Sequence, residues 1–233
     1  MTNGSIRANG NTDAIFFIAK HLGSNKPLAP EGIKMATDIE AVERNLRSFY
    51  DFQDKVVVHV GAGGGQLIGY SEITRSVLAI DIDEKAASRL DESVREKGLS
   101  SKFEIKVADI LSISTKADVV FFEFCLHEMS DPAKALRHAQ TIAPNILVID
   151  HHPDSRWAWY VLESEKAGRS WDAAREFNVI QEKSFDAEQY FPNYSDLLTK
   201  VGVMGDLAVS RISEFIDRSD ITIKMKYAMA LLK

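Results

Sequence analysis

A chain of 233 residues, 45% hydrophobic and 27% charged, has the make-up of a globular domain with an ordinary core. Its formal net charge of −6, with no Lys/Arg cluster, argues against a nucleic-acid partner, whose phosphates call for a basic face. Cys125, the single cysteine, excludes an intramolecular disulfide framework and fits a reducing compartment. The apolar run Ala14–Ala19 is too short for a signal core, and no run is long enough to span a bilayer. The expectation is a soluble, cytoplasmic protein with no membrane partner.

Residues 1–12 are polar and rich in Gly and Asn and are expected to form a mobile end. Asp13 is placed to cap a short helix through His21, and Pro27 and Pro30 mark a loop. Apolar residues Ile39, Val42, Leu46 and Phe49 follow helical spacing, so residues 1–50 read as a helical cap ahead of the main domain at 51–233. Strands are then predicted at 55–60, 77–82, 103–108, 118–124 and 145–150, with helices at 64–74, 84–97 and 132–142 between them.

This alternation predicts a parallel sheet covered on both faces, with the strands' C-terminal ends along one rim. A helical insert at about 154–177 carries Trp157, Trp159 and Trp171. A sixth strand at 179–185, helices at 193–201 and 205–216, and a terminal strand at 221–232 complete the chain. The fold class is therefore α/β. It is a Rossmann-like doubly wound sheet with an N-terminal helical cap and a helical insert after strand five.

Ligands of open α/β sheets bind at the C-terminal rim. The β-branched run 56–60 opens there into Gly61-Ala62-Gly63-Gly64-Gly65, a turn that lets a ligand approach the backbone, and Asp81 ends the next strand where a ribose diol lies. A dinucleotide fingerprint needs a third glycine where this chain has Gln66, so a nicotinamide-dependent oxidoreductase is the lesser reading. An Asn/Asp-Pro-Pro-aromatic turn, expected of a nucleic-acid base methylase, is missing after strand four.

Four segments, His59-Val-Gly61-Ala-Gly63-Gly-Gly65, Ala79-Ile-Asp81-Ile-Asp83, Val107-Ala-Asp109-Ile110 and Phe124-Cys-Leu-His127-Glu128-Met-Ser-Asp131-Pro132, stand in the order and spacing of one family. Over roughly residues 37–150 the chain resembles the class I S-adenosylmethionine-dependent methyltransferases that act on small molecules. The resemblance implies a mostly parallel sheet with an antiparallel C-terminal strand. It implies that Gly61, Ala62, Gly63 and Gly65 hold the methionine moiety. Asp81 and Ile82 would hold the ribose edge, Asp109 and Ile110 the adenine, and Phe124 would lie beside the methionine tail. His59 departs from the family, which often has an acid at that position to hold the cofactor's ammonium, and this departure keeps open a second reading, a fold relative that binds the cofactor without transferring methyl groups.

The acceptor side is read from residue chemistry. His127, Glu128, Asp150, His151 and His152 cluster at the ends of strands four and five. Three roles compete: His127 or His151 as general base, a divalent metal held by histidine and carboxylate, or a hydrogen-bonded pocket wall. Alternation sends His151 and His152 to opposite faces if the strand continues. Trp157 and Tyr160 are candidate walls for an apolar, aromatic or cationic acceptor, or else dock the insert on the sheet or on a second copy of the chain. Arg156 and Arg169 read as solvated charges, and Cys125 as a buried inert thiol.

Overall fold

The computed structural model describes residues 38–63 and 65–233. The expected polar end, the helix at 13–21, the Pro27/Pro30 loop and Gly64 lie outside the described residues. Seven strands form one sheet: β1 Val56–Val60, β2 Ser76–Asp81, β3 Phe103–Val107, β4 Val119–Glu123, β5 Asn145–His151, β6 Val179–Asn193 and β7 Ser219–Leu232. Their spatial order is β3-β2-β1-β4-β5-β7-β6. The first five pair in parallel, and β7 runs antiparallel to both β5 and β6.

The central strands are continuous apolar runs because both faces are covered. Every residue of β4 is buried. One face is packed by α1 Ile39–Phe49 through Val42, Leu46 and Phe49, by Leu90 and Val94 of α2 Glu84–Glu96, and by Leu197 and Val201 further on. The other is packed by Leu136 and Ala139 of α3 Pro132–Ile142 and by Trp171. Helix starts follow capping chemistry: the carboxylates of Asp38, Asp83 and Asp131 accept from backbone N–H groups of the first turn, and Pro132 opens α3.

Three elements differ from expectation, while the insert after strand five is helical as expected. The segment 64–74 holds a 3-10 turn, Gly69–Ile73, instead of a full helix. Gly65 sits at φ +74°, and α1 lies so close to Gly69 that a Cβ there would fall 1.7 Å from Glu43 Oε1. The insert is two helices, α4 Arg156–Tyr160 and α5 Ser164–Arg175, parted where Leu162 takes φ +63°. Strand β6 is far longer than 179–185, because pairing with β7 extends it through charged residues on an edge whose outer face meets solvent. After α6 Tyr194–Val201, the span 205–216 divides into α7 Asp206–Arg211 and a 3-10 turn. No helix of the described residues is long and apolar enough to cross a membrane.

Candidate functional site

The glycine turn follows β1 and closes on β2. Gly61 N–H donates to Ile80 O at 3.0 Å. Gly61, Gly63 and Gly65 all take positive φ, the region glycine enters without steric cost. They are glycines for different reasons. A Cβ on Gly61 would lie 2.5 Å from Cys125 Cβ, and one on Gly65 would lie 2.8 Å from Ser93 Cβ in α2. At Gly63 the nearest atom is Gly61 O at 3.5 Å, so the turn is open on that side.

Asp81, buried at the end of β2, accepts from Gly63 N–H at 3.0 Å through Oδ2 and from Asp83 N–H at 2.9 Å through Oδ1. It therefore ties the turn to the neighbouring strand. Ile82, the next residue, is 65% exposed. Asp109 is exposed and accepts from Leu111 N–H at 2.8 Å, while Ile110 is buried in the core, leaving Leu111 as the exposed apolar side chain of that turn. Phe124 takes φ +42° between β4 and the loop that follows, and strain of this kind gathers at functional sites.

His59 is wholly buried. Its Nδ1 lies 3.0 Å from Tyr70 Oη, its ring stacks on Phe121, and its Nε2 lies 2.8 Å from Glu123 Oε2 in a poorly aligned contact. A carboxylate thus stands beside the position where the family pattern has an acid, supplied by β4 instead of β1. Burial pushes the Glu123 carboxyl above its ordinary range, against the opposing pull of His59. Burial also raises the Cys125 thiol well above its usual value, with nearby carboxylates adding to the effect.

The ends of β4 and β5 converge on a second, denser cluster. His127 Nδ1 lies 2.5 Å from Asp150 Oδ1, and its backbone N–H donates to Asp150 Oδ2 at 2.9 Å. Asp150 also accepts from His151 N–H at 2.8 Å. His127 Nε2 faces Glu128 Oε1 at 3.0 Å, and Glu128 is held in turn by Lys166 at 3.0 Å. Glu163, at the start of α5, brings Oε2 to 3.4 Å from His151 Nε2 and 3.8 Å from His127 Nε2. Both ring nitrogens of His151 and both carboxylate oxygens of Glu163 are buried without a hydrogen-bond partner.

Burial depresses His151 to about 3, reinforced by His127, so its ring is neutral. Burial also works against a charged His127, but Asp150 and the other carboxylates outweigh it and hold that imidazole well above its ordinary value. Glu163 is pushed up to about 8, chiefly by burial. His151 is wholly buried whereas His152 is partly exposed, as strand alternation requires, and His152 Nδ1 accepts from Asp154 N–H.

The aromatic insert is placed differently from a simple wall. Trp157 is buried and stacks on Phe191. Tyr160 Oη bonds Glu214 and receives Arg156 at 3.0 Å. Arg156 and Arg211 lie over the Trp159 ring, and Trp171 Nε1 donates to His151 O at 2.7 Å, fixing the end of β5. Glu123 and Glu163 are the site residues that sequence reasoning missed.

A family model described as "Methyltransferase domain" matches residues 58–144, from the middle of β1 to the end of the helix preceding β5. A solved structure of a candidate methyltransferase from Bacillus halodurans C-125 covers 82% of this chain and 97% of its own, at 16% identity and a TM-score of 0.62. The chain therefore has the class I Rossmann-like methyltransferase fold, and a methyltransferase domain model matches part of it.

The same fold also carries a protein named as precorrin 8w decarboxylase from Methanobacterium thermoautotrophicum, at 16% identity and a TM-score of 0.55, over 83% of this chain and 89% of that one. Among curated proteins, a dimethyladenosine transferase of Yarrowia lipolytica is 26% identical over 148 residues, or 60% of this chain. The chain spans 40% of the length of that relative. The rim of the matched region has a shape that a nucleoside cofactor would fit. Gly63 leaves its side of the turn open, Asp81 ends β2 beside it, and the apolar Ile82 stands exposed next to them.

Proposed function

We propose that this chain moves a methyl group from S-adenosylmethionine to a small-molecule acceptor docked against the His127–His151–Glu163 cluster. One observation carries the reading. The loop leaving β4 links both halves of the site: Cys125 packs against Gly61, and the Phe124 ring lies 5.2 Å from that of His151. Gly61, Ala62, Gly63 and Gly65, with Asp81, Ile82, Asp109, Ile110 and Phe124, would hold the cofactor, and Glu123 stands in for the acid that His59 replaces. Bound there, S-adenosylmethionine supplies an electrophilic methyl group.

What the protein adds is position. Methyl transfer is an in-line displacement, and fixing the nucleophile against the sulfonium supplies most of the rate. His127 and His151 are the residues that meet the acceptor. His127, oriented by Asp150 at Nδ1 and held charged by the surrounding carboxylates, turns Nε2 toward the cluster and serves to position the acceptor. Glu128 completes the polar lining. Trp157 serves by seating the insert in the core, with Tyr160 bracing it through Glu214.

The name of the Yarrowia relative offers a nucleoside acceptor as a second reading. A net charge of −6 and the carboxylates at the cluster oppose a polyanionic substrate. Calorimetric titration with S-adenosylhomocysteine, beside NAD, tests the cofactor assignment. Binding of S-adenosylhomocysteine alone is expected and opens a screen of small acceptors with radiolabelled methyl transfer. Binding of NAD alone would overturn the reading in favour of hydride transfer.

A further inference from the structure

We infer that His127, His151 and Glu163 form a binding site for a divalent first-row transition-metal ion at the acceptor end of the pocket. One nitrogen of each histidine and one oxygen of Glu163 lie within 4.8 Å of one another, and all three residues are buried. A zinc ion bound tetrahedrally by nitrogen and oxygen at ordinary bond lengths sets its ligand atoms about 3.3–3.5 Å apart. Glu163 Oε2 already stands 3.4 Å from His151 Nε2 and 3.8 Å from His127 Nε2, so small side-chain movements close the triad.

The unsatisfied atoms point the same way. Leaving a buried donor or acceptor without a partner costs about 1–3 kcal/mol. Here His151 and Glu163 together leave four such atoms, on residues at most 1% exposed. At 3.4 Å the Glu163–His151 contact is too long for a good hydrogen bond. It is an ordinary spacing for two ligands of one ion.

The support around the triad is that of a metal site. Metal-bound imidazoles usually engage a carboxylate or carbonyl through the other nitrogen, which fixes the tautomer. Asp150 does this for His127 at 2.5 Å, while Trp171 anchors the backbone of His151. Glu128 Oε1, 3.0 Å from His127 Nε2, is within reach as a further ligand or as a holder of the proton the ion displaces. Two imidazoles and one carboxylate suit zinc, iron(II), cobalt or manganese, and three protein ligands leave positions open for an acceptor.

The inference deepens the methyl-transfer reading and rests on it for the acceptor class. That class is a small molecule that ligates the ion through an oxygen, nitrogen or sulfur lone pair beside or at the atom to be methylated. The ion lowers the pKa of such a group, so it deprotonates without a strong protein base.

The metal test itself needs no turnover. Chelator-treated full-length protein is titrated with Zn²⁺ by calorimetry and with Co²⁺ by absorption, and S-adenosylhomocysteine affinity is measured on the same samples. One ion per chain is expected, with Co²⁺ ligand-field bands of a site containing protein nitrogen. His151→Ala and Glu163→Gln should each weaken Zn²⁺ binding at least ~100-fold, and Asp150→Asn by about 10–100-fold. His138→Ala, whose imidazole meets Ile113 O instead, should leave it unchanged.

Failure of wild-type protein to bind either ion, or binding untouched by Glu163→Gln and His151→Ala in folded protein, would overturn the site. Metal binding without S-adenosylhomocysteine binding would support the site and remove the cofactor reading. The reverse would remove the site and leave methyl transfer standing.

Discussion

The two halves of the rim are built on opposite terms. At the glycine turn the work is done by backbone. Asp81 already has two N–H donors, Gly61 and Gly65 are fixed by what lies behind them, and the open face is the side of Gly63. At the acceptor cluster the work falls to side chains. His151 and Glu163 are buried with nothing to satisfy them, while Asp150 and His127 hold each other tightly. A cradle that is complete in itself suits a ligand that every turnover presents in the same form. A cluster left unsatisfied stores its cost for whatever group arrives to satisfy it.

If that division is right, substitutions should separate chemistry from cofactor binding. His151→Ala and His127→Gln are expected to lower turnover by about 10²–10⁴-fold, the range of lost acid–base or acceptor-positioning assistance. S-adenosylhomocysteine affinity should stay within a few-fold, because the glycine turn and Asp81 are untouched. Single-turnover methyl transfer and calorimetry on the same preparations decide it. Parallel loss of both would mean that the halves are one structure.

The turn should answer with stability. Gly61 and Gly98 have nearly the same backbone, φ +71° and +68°, but a Cβ at Gly61 meets Cys125 while one at Gly98 meets nothing within 4 Å. Gly98→Ala should cost about 1 kcal/mol from backbone strain alone. Gly61→Ala adds the clash with Cys125 and should cost about 2–5 kcal/mol. Urea denaturation curves give both values, and equal losses would show that the Cys125 contact yields readily.

The contrast also explains what could be read from the chain. Strands β1, β2, β4 and β5 were legible because buried parallel strands are rich in runs of Val, Ile and Phe, the edge strand β3 because Phe103, Ile105 and Val107 alternate with charged residues, and α2 and α3 because aspartates cap them in sequence. The rim motifs were legible because glycines, a strand-end acid and spacing are local properties. Strand β6 was legible only as far as 185; its extension through residues such as Asp186, Glu188 and Gln189 was not, since these are held as strand by β7 and by no periodicity of their own. Glu163 was not legible for a related reason. Leu162 at φ +63° turns the chain just before α5, and only the tertiary fold brings that carboxylate to His151. His59 was legible as a departure from pattern, but its answer, Glu123, comes from β4, three strands later in the chain.

The smallest effect concerns that buried pair. Glu123 is buried against His59 and Tyr70, with Asp81 and Glu43 also acting on it, and its carboxyl is raised chiefly by desolvation. A carboxyl whose folded pKa lies above its unfolded one carries no penalty below the unfolded value. The penalty grows as pH rises from there and is complete once pH passes the folded value. Glu123→Gln removes the charge but keeps the shape. Relative to the native chain, the variant should therefore gain stability as pH rises above about 4.3, the ordinary glutamate value, with no relative gain at lower pH. Paired urea titrations across that range measure the difference. A flat difference would mean that His59 compensates the carboxylate fully, making the pair as self-sufficient as Asp81 and its two amides.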